Sequence, residues 1–323
     1  MDITSLGRED SWIGVGALVI GFDADARSAA DNLLHLGADV AIIDPLAHPE
    51  TAEFAELLSV LGADVLRGAG AEEPGIDWLS GRAWDLVITS GDIQGHRILR
   101  DVVDLYPDAL ALSGLDLARH LEPDQAWLLV GAASAGDDNA GQIARAAAAM
   151  LRAAGVNAAP AGVGERTAME LVMEPDRYDA LVVAVTAEML AVSGALRPQS
   201  TCVLIARPEL ASAFTDVEKA CVYKPEESVT EDMVRDADVV EGARAIGITR
   251  GTPGVGMLGV VEDVLCDRAF VDDRQTSAEE ICTLGDLRRQ DDDYVESLLA
   301  SVALARAYGV ALAPIRAAIG ETF

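Results

Sequence analysis

Between Trp127 and Gly155 the sequence reads WLLVGAASAGDDNAGQIARAAAAMLRAAG: an apolar run, a small-residue turn, then a long alanine-rich stretch. The turn ends Gly136-Asp137-Asp138-Asn139-Ala140-Gly141. Nucleotide-binding proteins use a strand–turn–helix of this form to cradle phosphates. Amides at the helix start meet the anion, a lysine reaches the β- and γ-phosphates, and a following hydroxyl holds Mg²⁺. This chain has two lysines, Lys219 and Lys224, and neither follows a glycine loop. Gly141 offers no hydroxyl, and arginine does not reproduce the slim lysine. Asp137 and Asp138 would face a triphosphate; like charges about 4 Å apart cost roughly 4 kcal/mol at an effective dielectric near 20. As helix-opening residues the same aspartates are favourable, because they cap free N–H groups and complement the helix dipole. The residues therefore predict a capping turn, with no bound nucleotide, cofactor or metal.

A second turn, IGFDADARSAA, places Gly21, Phe22 and Asp23 where a dinucleotide fingerprint would stand, with Asp44 at the end of the next strand. The fingerprint needs glycines where Asp23 and Ala26 stand. Two readings stay open: a plain turn with Asp23 or Asp25 capping the helix, or a site for a ligand needing fewer glycines, such as a nucleoside diphosphate sugar. Ser90, Gly91 and Asp92 follow a strand's carboxyl end, where open sheets bind ligands, and are candidate small-molecule contacts. Histidines 35, 48, 96 and 120 are scattered without metal-ligand spacing.

These turns need elements to hold them. Strands are predicted at 16–22, 39–45, 64–68 and 84–90, alternating with helices at 25–38, 50–63 and 94–107, which implies right-handed crossovers and a parallel sheet. The pattern resets near 117–125, giving a domain over 1–122 and another over 123–323. The second opens with strand 127–130 and helix 141–155, continues with strands 178–186 and 200–206, and from about 219 reads as antiparallel hairpins at a sheet edge. A helix at 295–309 and a short final stretch close it. The fold class is α/β: a Rossmann-like domain followed by a second α/β domain of parallel sheet with antiparallel edge hairpins.

Composition narrows the partners. Lys+Arg is 24 against Asp+Glu 54, a net charge of −30, which repels nucleic acid and anionic membrane. Four separated cysteines without C-x-x-C, and no signal-like or membrane-length apolar run, predict a reduced, soluble, cytoplasmic protein.

Several stretches resemble the Mur ligases, most closely the actinobacterial branch that adds D-glutamate to UDP-N-acetylmuramoyl-L-alanine. EDMVRDADVVEGARAIGITRGTPGVGMLGVVEDVLCDRAFVDDRQ (231–275) carries most of the resemblance. LLASVALARAYGV (298–310), MLRAAGVNAA, YDALVV and LHLGADVAIID add to it. The resemblance implies a UDP-sugar domain at 1–122, a central ATPase-like domain at 123–323 and a further C-terminal ligase domain, expected to be absent here. It also implies ATP and Mg²⁺ as cofactors, with an acyl-phosphate intermediate. The departures fall on the chemistry. Ala140 stands at the family's lysine, Gly141 at its Mg²⁺ hydroxyl, Ala184 at a Mg²⁺-binding glutamate and Leu210 at a metal-binding histidine. The carbamylated-lysine loop is shortened to ASAFTDVEKA, and the late-helix asparagine falls on Tyr294 or Ser297. The expectation is a pseudoenzyme of the peptidoglycan (cell-wall) pathway, binding a UDP-sugar precursor or a cell-wall synthesis protein. The alternatives are an active D-glutamate ligase or a UDP-sugar-binding module.

Overall fold

Short apolar runs closed by polar turns build the first sheet. The structure, a computed structural model, describes residues 3–68 and 82–322. Strands Gly16–Ile20 (β1), Asp39–Asp44 (β2), Asp64–Arg67 (β3), Leu86–Thr89 (β4) and Leu110–Ser113 (β5) line up as β3-β2-β1-β4-β5, all parallel. Helices Ala24–Leu36 (α1), Ala52–Val60 (α2), Arg97–Leu105 (α3) and Gly114–Leu121 (α4) connect or follow them. Ala17 to Ile20 and Val40 to Ile43 are buried, as expected of central parallel strands covered on both faces. The pair β5–α4 is a correction, because the sequence reading runs from a helix straight into a reset. Leu110 to Ser113 is a short edge strand, half-exposed over much of its length, so it shows neither an apolar run nor alternation. A reciprocal cap between Ser113 and Asp116 fixes where α4 begins.

The chain divides into two compact units. One is Met1–Asp124 with Thr167–Pro175 and Glu188–Gly194; the other is Gln125–Arg166, Asp176–Ala187 and Ala195–Phe323. A single cut near 122 does not anticipate the two returning segments. Polar contacts tie them in: Thr167 Oγ1 donates to Ser28 Oγ at 2.8 Å, and the Ser113 and Ser193 hydroxyls meet at 2.8 Å.

The second unit's sheet holds Ala126–Gly131 (β6), Ala158–Gly162 (β7), Ala180–Val185 (β8), Ser200–Val203 (β9), Ala220–Tyr223 (β10), Arg244–Ile248 (β11), Met257–Val261 (β12), Val264–Asp267 (β13) and Glu279–Thr283 (β14). Its order is β14-β13-β12-β11-β10-β9-β6-β8-β7. Later in the chain come helices Asp138–Ala153 (α5), Ala168–Val172 (α6), Ala187–Val192 (α7), Ser228–Arg235 (α8), Asp292–Tyr308 (α9) and Leu312–Thr322 (α10); α6 and nearly all of α7 lie in the returning segments and so belong to the first unit. Among the described residues antiparallel pairing is confined to β12–β13 and β13–β14. The region from 219 is therefore not all hairpin, since β10, β11 and β12 run parallel. Helix α8 supplies one crossover and the glycine-bearing loop 249–256 the next, and that loop is too short to read as a crossover in the sequence. Helix α9, buried on nearly every side, packs along α5. Among the described residues no helix is long and apolar enough to cross a membrane.

Candidate functional site

The turn between β6 and α5 lies outside the carboxyl end of β6, where β8 pairs on one side and β9 on the other. This is the switch point at which open α/β sheets take ligands. Helix α5 begins at Asp138, three residues before the predicted start at 141, because Asp137 caps it. Its carboxylate accepts the Ala133 amide at 2.7 Å through one oxygen, and the Asn139 and Ala140 amides at 3.0 and 3.2 Å through the other. An internal carboxylate thus occupies the N–H groups that a phosphate loop turns toward its ligand. The Asn139 side chain is held by the Ser297 hydroxyl of α9. Ala140 is buried in the first turn of α5, and a Cβ at Gly141 would lie 3.1 Å from the Arg145 guanidinium and 3.3 Å from the Val163 carbonyl. Arg145 pairs with Glu165 at 2.7 Å, and Arg207 donates to the Ala133 carbonyl.

The first unit repeats this arrangement at its own switch point, between β1 and β4. Asp23 caps α1 by accepting the Ala26 amide at 2.9 Å and takes the Gly91 amide at 2.9 Å with its second oxygen. The Phe22 amide donates to Asp92 and the Asp23 amide to Ser90 Oγ, each at 3.3 Å, while Ser90 donates to Asp92 at 2.7 Å. Gly21, at φ 91°, lets this ring close: a Cβ there would fall 2.4 Å from Ser90 Cβ. Burial, then the charges of Asp23 and Asp44, push the Asp92 carboxyl up against the opposing hydrogen bonds from Ser90 and Phe22. Asp44, almost wholly buried, is taken by Arg67 at 2.7 Å and by the Ala47 amide at 2.9 Å. Phe22 meets Phe54 edge-on at 6.3 Å, with the Arg27 and Arg67 guanidiniums near its ring. The predicted residues Gly21, Phe22, Asp23, Ser90 and Gly91 therefore come together; Asp44 lies in a separate ion pair at the end of β2.

Segment 188–194 lies over the same strand ends. The Glu188 carbonyl sits so close to Gly91 that a Cβ there would approach it to 2.8 Å. The Gly194 amide donates to Asp116 at 3.0 Å. The cavity remaining among Asp25, Gly91, Ser113 and Met189 is about 10 Å³, room for roughly one water. Asp25 borders it; burial, then the charges of Asp23 and Glu170, raise its carboxyl to about 7. Arg67 and this covering segment are not among the residues expected from the sequence; Asp92 is, and of the two capping alternatives Asp23, not Asp25, caps α1.

Curated proteins named UDP-N-acetylmuramoylalanine–D-glutamate ligase match nearly the whole chain. It is 32% identical to that of Streptomyces avermitilis over 95% of this chain and 66% of the relative. The match to the ligase of Leifsonia xyli is 32% over 93% and 62%. The chain belongs to the Mur ligase family. It spans about two thirds of the length of these relatives. Two solved Mur ligases share the fold. One is a murein peptide ligase from Psychrobacter arcticus (TM-score 0.57, 13% identity, 95% of this chain and 68% of that one). The other is UDP-N-acetylmuramate:L-alanyl-gamma-D-glutamyl-meso-diaminopimelate ligase from Neisseria meningitides (TM-score 0.58, 13% identity, 95% and 97%). No family model matches the chain.

Two further positions in this Mur ligase family member are fully buried. Ala184 lies at zero exposure inside β8, its carbonyl taken by the Val163 amide at 3.0 Å. Leu210, also at zero exposure, packs toward Gly131 at the end of β6. Neither carries a metal-ligating atom in its side chain. Lys219 stands at the start of β10 with its ammonium 5.8 Å from the centre of the Tyr308 ring, and Lys224 pairs with Glu296 at 2.9 Å. Partial burial works against the Lys224 charge, but the Glu296 contact, with Glu227 and Glu226 nearby, outweighs it and raises the ammonium above its usual range.

Proposed function

We propose that this chain is a non-catalytic member of the D-glutamate ligase branch of the Mur family, acting by binding or scaffolding in peptidoglycan synthesis. The observation that carries the reading is the Asp137 carboxylate seated on three amides of the β6–α5 turn. A γ-phosphate entering there must displace a covalently tethered anion and then meet Asp138 with no lysine to offset it. On the resemblance read from the sequence, Ala140 stands at the lysine, Gly141 at the Mg²⁺ hydroxyl, and Ala184 and Leu210 at metal ligands. Each change removes a group on which phosphoryl transfer depends for charge stabilisation. ATP and Mg²⁺, the family's cofactors, therefore have no matching donor set at these positions. Calorimetric titration of the chain with Mg-ATP is expected to give no binding heat. Micromolar affinity, or phosphate release with UDP-N-acetylmuramoyl-L-alanine and D-glutamate, would establish the active-ligase alternative.

Capture of a UDP-sugar precursor at the first unit has less support. The Phe22, Asp23 and Gly91 amides are engaged by Asp92, Ser90 and Asp23, and the water-sized cavity admits no nucleotide. A cell-wall synthesis protein is the partner this reading favours. A rise in melting temperature with UDP-N-acetylmuramate would reverse that preference.

A further inference from the structure

Within the first unit, Glu188–Gly194, which holds most of α7, closes the carboxyl ends of β4 and β5. Glycine is what admits it: a Cβ at Gly91 would lie 2.8 Å from the Glu188 carbonyl oxygen and 3.2 Å from the Met189 nitrogen. At its far end the Ser193 and Ser113 hydroxyls meet at 2.8 Å, and the Gly194 amide spans both Asp116 oxygens at 3.0 Å. The segment is thus fastened by a side-chain contact and one amide, whereas β4 beneath it is paired on both sides.

Asp25, in the first turn of α1, borders the water-sized cavity under this segment, together with Thr89, Ser113, Met189, Val192 and Ser193. Among the described residues no donor reaches its carboxylate, and the charges acting on it, Asp23 and then Glu170 of α6, are both negative. The other charged groups of the surrounding elements are engaged or distant. Asp116 of α4 is taken by Ser113 and Gly194, and Asp92 after β4 by Ser90 and the Phe22 amide. Glu188 of α7 is exposed, Arg119 and His120 lie in the last turn of α4, and Arg27 lies over the Phe22 and Phe54 rings. An ionised carboxylate accepts about four hydrogen bonds, and one water does not supply them.

We infer that Glu188–Gly194 is a cover that stays shut while Asp25 holds its proton and loosens when Asp25 gives it up. Access to Gly91 and the strand ends of the first unit then follows pH. Burial, then Asp23 and Glu170, raise the shut-state carboxyl to about 7 from 3.8, and opening restores its water. Opening therefore grows as pH rises between those values and levels off above about 7. The device is separate from the β6–α5 turn, so it stands whether or not the chain binds ATP.

Hydrogen exchange on the unaltered chain at about pH 5, 6 and 7 tests this, each rate divided by that of the same sequence in an unstructured peptide. Protection of the 189–194 amides is expected to fall about 10-fold over that range. Their rates should not change in about 1 M urea, because a local opening exposes little surface. Asp25→Asn should abolish most of the fall, while Ser193→Ala should lower protection at every pH and leave the fall intact. Protection that is constant with pH overturns the inference, as does an unchanged fall in Asp25→Asn. Exchange that accelerates in urea as steeply as that of β1 also overturns it, since the segment would then open only by global unfolding. If Asp25→Asn does not fold, the pH and urea series on the unaltered chain decide alone.

Discussion

An aspartate at the start of a helix can stabilise the fold or repel a ligand; Asp137 caps α5, and under the proposed function the same two oxygens also oppose a phosphate. Replacing it with alanine frees three amides and removes the cap of α5. The expected cost is about 1–2 kcal/mol, read as a lower urea midpoint. Asp137→Asn should cost less, since the carbonyl oxygen of the amide still accepts. The Asp137→Ala variant should also fail to bind Mg-ATP, because freeing the amides supplies neither lysine nor metal ligand; acquired binding would mean that Asp137 alone blocks the site. Asp25 gives a second prediction through pH. Its folded carboxyl is raised to about 7 from 3.8, so between those values the folded state holds a proton that the unfolded state has released. Stability from this group is therefore present at low pH and lost as pH rises toward 7, with a slope of at most about 1.4 kcal/mol per unit. Asp25 keeps some solvent access, which reduces that slope. Asp25→Asn should flatten the decline, with its advantage over the unaltered chain in urea midpoint growing from about pH 5 to about pH 8. A constant difference across that range would remove the assignment.

At the scale of elements, the pairing of α5 with α9 holds the β6–α5 turn in place. Ser301 is fully buried between these helices, its hydroxyl reaching the Ile143 carbonyl at 3.3 Å and the Ser297 carbonyl at 2.7 Å. Ser301→Leu should cost about 1–3 kcal/mol by overpacking a close helix contact, whereas Ser301→Ala should cost about 1 kcal/mol or less. Chemical denaturation of the two variants separates packing from hydrogen bonding. Such elements are legible in proportion to their burial. The continuous apolar runs of β1, β2 and β8 announce a parallel sheet, and Asp137 is recognisable as a cap from its place before an alanine-rich helix. Strand β7 is not legible. Its sequence AAPAG has little strand propensity, and Pro160 is tolerated because β7 lies at the sheet edge. Nor could the sequence show that Glu188–Gly194 covers the strand ends of the first unit. That follows from long-range contacts such as Gly194 to Asp116, and no local pattern encodes them.

At the scale of the molecule, 54 acidic residues against 24 basic ones leave a net charge of −30, and the folded state concentrates that repulsion. Its specific ion pairs pull the other way. The partly buried pairs, Arg306–Asp267 and Lys224–Glu296, are poorly screened and should persist in salt. Exposed pairs such as Arg97–Asp101 and Arg289–Asp291 contribute little at any ionic strength. Screening therefore removes more repulsion than attraction. Raising KCl from about 0.05 to about 0.5 M, which shortens the Debye length from over about 10 Å to about 4 Å, should raise the melting temperature. Potassium chloride is the suitable salt because sulfate would add its own strengthening of apolar burial. A melting temperature that falls with KCl would mean that attractive surface networks dominate, and the excess acid would then need another explanation.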